Sequence, residues 1–228
     1  MGIELLEPRQ HWLTQYQLSL DLYEMSASVS CARGDISAMS PALDHILLNA
    51  RSFEDSLKAS SLLVKLLAAS SKMDDAINNC IVILQNLGEI FPANSDVTLA
   101  GVSNEISSVM QQTLANNITK ERFKLLPPMT NKTKIHAMKF LNLACAYSLI
   151  SRPMMIPFLS SRMLKLTIDY GFCDDSIVGL ALLGYSLVST SNAHPFWSIF
   201  CHSLQRLLGA PFSSRSKRIF AQAHTLST

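Results

Sequence analysis

The residues of this 228-residue chain best suited to nucleophilic or metal chemistry are its six histidines and five cysteines, and their spacing works against both uses. A zinc site needs ligands a few residues apart, as in Cys-x-x-Cys, and Cys31, Cys80, Cys145, Cys173 and Cys201 contain no such pair. His11, His45, His136, His194, His202 and His224 never stand four apart with a carboxylate between them. His136 and Cys145 share one predicted helix, but their spacing puts them about 13 Å apart along its axis, beyond hydrogen-bond reach. The doublets Asp74-Asp75 and Asp174-Asp175 suggest acid–base work, yet adjacent helical residues point about 100° apart. Each doublet opens a predicted helix, and capping accounts for it. No phosphate-binding Gly-x-x-x-x-Gly-Lys-[Ser/Thr] loop, Gly-x-Gly-x-x-Gly, His-Glu-x-x-His or Gly-x-Ser-x-Gly occurs. No catalytic, cofactor-binding or metal-ligating residue is assigned, and the chain is expected not to be an enzyme.

Other reactive or sticky features have structural readings. The ten methionines, Met129, Met154 and Met155 among them, read as core filling. The basic cluster Arg215, Lys217 and Arg218 lies in a Ser-rich terminal stretch and reads as a solvated end. Residues 1–100 carry 6 Lys/Arg against 12 Asp/Glu, and residues 101–228 carry 13 against 5. These opposite balances predict two helical parts packing with complementary charge rather than a nucleic-acid face, because the basic residues are scattered and lack interleaved aromatics. An odd number of widely spaced cysteines, set in apolar patterns, points to a reducing compartment. No apolar run of signal-peptide length follows Met1, and the longest apolar stretch, Ile177 to Val188, is too short to span a bilayer. A cytoplasmic protein is expected, with no membrane or nucleic-acid partner.

The elements that would position any site are helical. Apolar residues make up 48% of the chain and charged residues 16%, so disorder is excluded as the general state. Leu13, Tyr16, Leu20, Tyr23 and Ala27 recur every three or four residues, predicting a helix from Trp12 to about Ala32, stopped by Gly34-Asp35. Further helices are predicted over about 37–50, over 53–67 with Ser52 as cap and Ser71-Lys72 as break, and from Asp74 to Gly88. The pattern continues with about 95–117, 120–126, 133–149, Pro153 to Gly171, 174–187 and 195–208. No alternating strand pattern exceeds four residues, so the fold class is all-α, with roughly ten helices. Four pairs emerge, Trp12–Ala50, Phe53–Leu87, Thr133–Gly171 and Asp174–Leu208, which is the signature of a right-handed α-solenoid of antiparallel helix pairs. The repeats are degenerate and tetratricopeptide-like: Ala76 supplies a small contact residue, but Val64 and Ile83 stand where smaller residues are usual.

Several runs occur in a telling order: Trp12…Tyr16…Leu18-Ser-Leu20…Leu22-Tyr23, Gly34-Asp35, Asp74-Asp75-Ala76-Ile77, Leu87-Gly88-Glu89…Phe91-Pro92, Leu125-Leu126-Pro127…Met129-Thr130 and Leu166-Thr167…Tyr170-Gly171. Over about residues 3–190 the chain resembles the tetratricopeptide-like helical region of large multi-domain signalling ATPases, which join a P-loop ATPase to a sensor histidine kinase or nucleotide cyclase. The resemblance carries over no catalytic residue, since the family's chemistry lies in other modules. It implies a repeat domain over 1–190 followed by a divergent helix and polar tail over 191–228, where the family would continue with further repeats; a truncated product or a fragment is the expectation.

Two functions follow. The first is a non-catalytic scaffold or regulatory segment that binds a protein partner or the ATPase or kinase module and needs no cofactor. The alternative is a small-ligand-sensing repeat domain that controls such a module.

Overall fold

The computed structural model describes residue 3 and residues 10–92, 97–115 and 125–191. Nine α-helices occur among these residues: α1 (His11–Thr14), α2 (Tyr16–Arg33), α3 (Ile36–Asn49), α4 (Phe53–Ala69), α5 (Met73–Asn86), α6 (Leu99–Ala115), α7 (Lys132–Ser151), α8 (Ile156–Tyr170) and α9 (Ser176–Ser191). A 3₁₀ turn, Pro153–Met155, leads into α8. The described residues hold no strand, only an isolated parallel bridge between Pro128 and Phe172. The fold is all-α.

Local chemistry sets the helix ends. Gly34 takes the left-handed conformation at φ 69°, so the amide of Asp35 reaches back to Ser30 O at 2.9 Å and closes α2. Asp35 then opens α3, its Oδ1 accepting from the Ala38 amide at 3.0 Å. Two residues therefore stop one helix and start the next. Ser52 caps α4 by accepting from the Asp55 amide, and Glu54 and Asp55 complement the positive end of its dipole. Ser71 ends α4 at φ 61° without being glycine, and the Lys72 amide bonds Leu67 O at 2.9 Å. One expected helix divides: the run from Trp12 breaks at Gln15, with φ −131° and ψ 47°. The break turns α1 so that His11 is buried with its Nδ1 3.0 Å from Ser19 Oγ.

The chain forms two compact units, each made of two segments. The first comprises Met1–Ala93 and Lys132–Met155, the second Asn94–Asn131 and Ile156–Thr228. In the first, α2 packs on α3, α3 on α4, α4 on α5 and α5 on α7. Tyr16 Oη donates to Asp55 Oδ2, and Lys58 Nζ donates to Glu24 Oε2, each at 2.7 Å. Early thus meets early and later meets later, so α2 and α4 run in the same direction. Arg152 Nε meets Asp74 Oδ1 at 2.7 Å, tying the end of α7 to the start of α5. Lys134 Nζ meets Glu89 Oε1, also at 2.7 Å, tying the start of α7 to the end of α5; these two helices run in opposite directions. Leu20, Tyr23 and Ala27 of α2, Met39, Leu43 and Ile46 of α3, and Ala59 and Leu62 of α4 form one core. A fully buried Leu43 or Ile46 contributes about 1.5–3 kcal/mol through removal from water.

In the second unit, Val102, Ile106 and Val109 of α6 meet Leu164 of α8 and Leu180 and Leu183 of α9. Thr98 caps α6 by accepting from the Gly101 amide at 3.1 Å. Gly179 allows close approach of α9 to α8: a Cβ there would lie 2.5 Å from Met163 Cβ. The expected third pair, Thr133–Gly171, is divided, α7 belonging to the first unit and α8 to the second. The expected boundary at 190/191 falls where the described residues end. The predicted helix over 195–208, most of that over 120–126, and the cluster Arg215, Lys217 and Arg218 lie outside them. Among the described residues, no helix is long and apolar enough to cross a membrane.

Candidate functional site

Two of the thiols that sequence brought forward are core residues, while Cys31 and Cys173 are half-buried and Cys201 lies outside the described residues. Cys80 on α5 and Cys145 on α7 are fully buried, and burial pushes each thiol up to about 12. Both stay protonated at neutral pH and pack as small hydrophobes. His136 is half-buried near the start of α7; burial and the neighbouring Lys139 hold its pKa below the usual value, against an opposing pull from Glu54. Among the described residues, no three His, Cys, Asp or Glu side chains converge in a manner that could hold a metal ion. Met129 and Met155 are buried, as core filling requires, whereas Met154 is exposed.

The first acidic doublet needs a correction, though it does open the helix, both residues lying in the first turn of α5. Asp74 lies beyond the cap position of α5, which Lys72 occupies without a side-chain cap. Its Oδ1 instead accepts from Ser151 Oγ at 2.8 Å and Arg152 Nε at 2.7 Å. The Ser151 hydrogen bond, with Arg152 second, holds the carboxyl below its ordinary range. Arg152 also donates to Asn78 Oδ1. Asp74 is a clamp between helices distant in sequence. Asp174-Asp175 form the turn before α9, where the Cys173 amide donates to the buried hydroxyl of Ser176 at 3.1 Å.

The motifs behind the family resemblance turn out to be joints. After α5, Gly88 takes φ 84° and the Glu89 amide reaches Leu84 O at 2.8 Å. This places the Glu89 carboxylate, wholly buried, against Lys134, and Phe91 is buried just beyond. The Leu-Pro-Pro-Met run pairs with the end of α8: Phe172 donates to Pro127 O at 2.7 Å, and Met129 donates to Phe172 O at 2.8 Å. Gly171 between them has φ 101°, and a Cβ there would lie 2.3 Å from Pro127 O. These residues hold helices and their connecting segments together.

Sequence reasoning missed a ring cluster at the start of the first unit. Trp12 and Tyr23 stack at 5.3 Å between centroids, His11 and Tyr23 at 5.9 Å, and His45 lies 4.9 Å from Tyr23. The guanidinium of Arg51 sits 4.1 Å above the Tyr16 ring and donates to Trp12 O at 2.9 Å. The regular spacing of Trp12, Tyr16 and Tyr23 signalled only a helix face; nothing in it announces Arg51 or Asp55, which come from the α3–α4 turn and α4. Burial and the hydrogen bond to Asp55 raise the Tyr16 phenol.

The opposite side of α2 carries a different feature. Leu18, Met25 and Val29 are each at least half exposed, and Leu22 between them is half-buried. Their spacing of four, three and four places them on one stripe, along which Leu18, Met25 and Val29 face outward while Leu22 packs against the core of Leu20, Tyr23 and Ala27. A small apolar cleft of about 50 Å³ lies at the α2–α3 turn, lined by Cys31, Ile36, Met39 and Leu66 with Lys65 and Asp35 at its edge. Compared with protein-family models, with curated proteins and with solved structures, the chain matches none of them.

Proposed function

We propose that this chain is a non-catalytic scaffold whose first unit is a right-handed α-solenoid of degenerate tetratricopeptide-like repeats. In this reading α2 and α3 form one antiparallel pair, α4 and α5 the next, and α7 begins a third. The observation that carries it is the direction of the first helices: α2 and α4 run in parallel through Tyr16–Asp55 and Glu24–Lys58, as successive repeats require. Glu54 and His136 influence each other near the starts of α4 and α7, which continues the row. The stripe Leu18–Leu22–Met25–Val29 lies on the first of these helices, and it fits the apolar face of a helical segment from a protein partner. The family resemblance supplies one candidate for that partner, the ATPase or kinase module of a cytoplasmic signalling protein.

The ligand-sensing alternative needs a pocket of roughly 300 Å³ or more. The cleft at the α2–α3 turn, at about 50 Å³, is too small for that role. A selection from a displayed peptide library tests the scaffold reading with wild-type chain and a Leu18→Glu/Met25→Glu/Val29→Glu variant. Wild type should enrich peptides with apolar residues every three or four positions, and the variant should lose them while keeping its helical circular dichroism. Failure to enrich any such family, or equal enrichment by the variant, rejects the reading.

A further inference from the structure

The two buried thiols of the first unit stand level with each other across the seam between α5 and α7. These helices run in opposite directions and are tied where Asp74 Oδ1 accepts from Ser151 Oγ at 2.8 Å. Cys80 lies six residues along α5 from Asp74, and Cys145 lies six residues back along α7 from Ser151. At 1.5 Å per residue both are about 9 Å from the tie. The Glu89–Lys134 pair at the far end agrees, being nine residues from Cys80 and eleven from Cys145. Both cysteines are wholly buried, as are Ala76, Ile77 and Leu84 around the first and Leu141 and Ala144 around the second. Cys80 also adds to the rise of the Cys145 thiol, an influence that falls off with distance.

That seam is where the chain leaves the first unit and returns to it. After α5 the segment Asn94–Asn131 belongs to the second unit, and α7 brings the chain back. A covalent bond between positions 80 and 145 would bridge the whole excursion. Ser148, three residues on from Cys145 and on the same face of α7, keeps a wholly buried hydroxyl with no hydrogen-bond partner. It is a donor within one turn of the thiol, suited to a sulfur that ionises during exchange. Burial keeps both thiols protonated and slow to react, so their oxidation follows opening of the seam. In a reducing compartment the pair stays open, and a rise in small disulfides closes it.

We infer that Cys80 and Cys145 are a latent dithiol that a small disulfide such as oxidised glutathione closes into a cross-link between α5 and α7. One thiolate attacks the small disulfide, releasing a first glutathione and leaving a mixed disulfide. The other thiolate displaces the second glutathione and forms the Cys80–Cys145 bond. Two protein thiols are oxidised, one small disulfide is reduced, and the two thiol protons leave on the two glutathiones. The inference is independent of the α2 surface, and its failure leaves the scaffold reading in place. It is tested in the full chain carrying Cys31→Ser/Cys173→Ser/Cys201→Ser, which keeps only this pair, equilibrated with oxidised glutathione beside wild type. In both, peptide mass spectrometry should find Cys80 joined to Cys145 within one chain and no glutathione retained on either. The thermal midpoint should rise by about 5 °C or more and fall back on adding dithiothreitol. A further Cys145→Ser change should leave one glutathione on Cys80 and no such rise. Glutathione retained on both thiols, pairing of either with Cys31 in wild type, or a link between two chains overturns the proposal. So does a link that lowers the midpoint, an equal rise without Cys145, or a pair still reduced when the urea-unfolded chain is fully oxidised.

Discussion

The first unit ends its helices with turns that need only nearby residues, whereas the second fastens a helix end to a loop segment far away in sequence. At Gly34 the backbone turns into open space, with nothing within 4 Å of where a Cβ would stand. At Gly171 the same kind of turn is pressed against Pro127 O at 2.3 Å and carries the Phe172–Pro127 and Met129–Phe172 hydrogen bonds. A glycine at a positive φ thus has two meanings: a local stop, or a site of close backbone approach. The long-range ties of the first unit are made instead by side chains, through Glu89–Lys134 and Asp74–Arg152. In both ties a basic residue of the second half of the sequence meets an acidic residue of the first, within the one unit.

Substitutions rank the two strategies. Gly171→Ala should cost roughly 3–5 kcal/mol, because it adds positive-φ strain to a clash with rigid backbone. Urea denaturation measures it, and a loss under about 1 kcal/mol would erase the distinction between the two turns. Lys134→Met should cost about 3 kcal/mol by leaving the wholly buried Glu89 carboxylate without its cation; a near-neutral midpoint would show that other groups carry that charge. Gly34→Ala should cost only about 1 kcal/mol, the strain of a left-handed alanine in open space. If it equals the Gly171→Ala loss, packing around the turn is irrelevant. Ser71→Gly should stabilise by about 0.5 kcal/mol, since it relieves φ 61° at a helix end but gives back chain entropy.

The smallest effect concerns pH. The Asp74 carboxyl has a folded pKa below its unfolded value of 3.8, so the folded state binds fewer protons there. Its contribution is complete above about pH 4 and is lost as pH falls through the lower folded value. Asp74→Asn should therefore flatten the acid limb of the melting temperature below about pH 4 and leave its shape near neutrality unchanged. An acid limb as steep as that of wild type would assign the loss to other carboxylates, Asp35 among them, whose pKa is lowered chiefly by the Ala38 amide.

Much of the fold was legible because its signals are local. Ser52, Gly34-Asp35 and Ser71-Lys72 mark helix ends through backbone geometry that neighbouring residues determine. The break at Gln15 was not legible, since it serves the burial of His11 against Ser19 and Tyr23, a contact that periodicity does not encode. The Asp74-Asp75 doublet reads as a cap from sequence because the first turn of a helix favours acids; only the arrival of Ser151 and Arg152 reveals its use.

The sequence by itself determined the all-helical class and most helix limits, because three-to-four-residue apolar spacing and capping residues act within a turn or two. Tertiary structure alone decided which helices share a unit. It drew α7 to α5 and set α6 beside α8, since buried charge pairs and close backbone contacts depend on residues tens of positions apart.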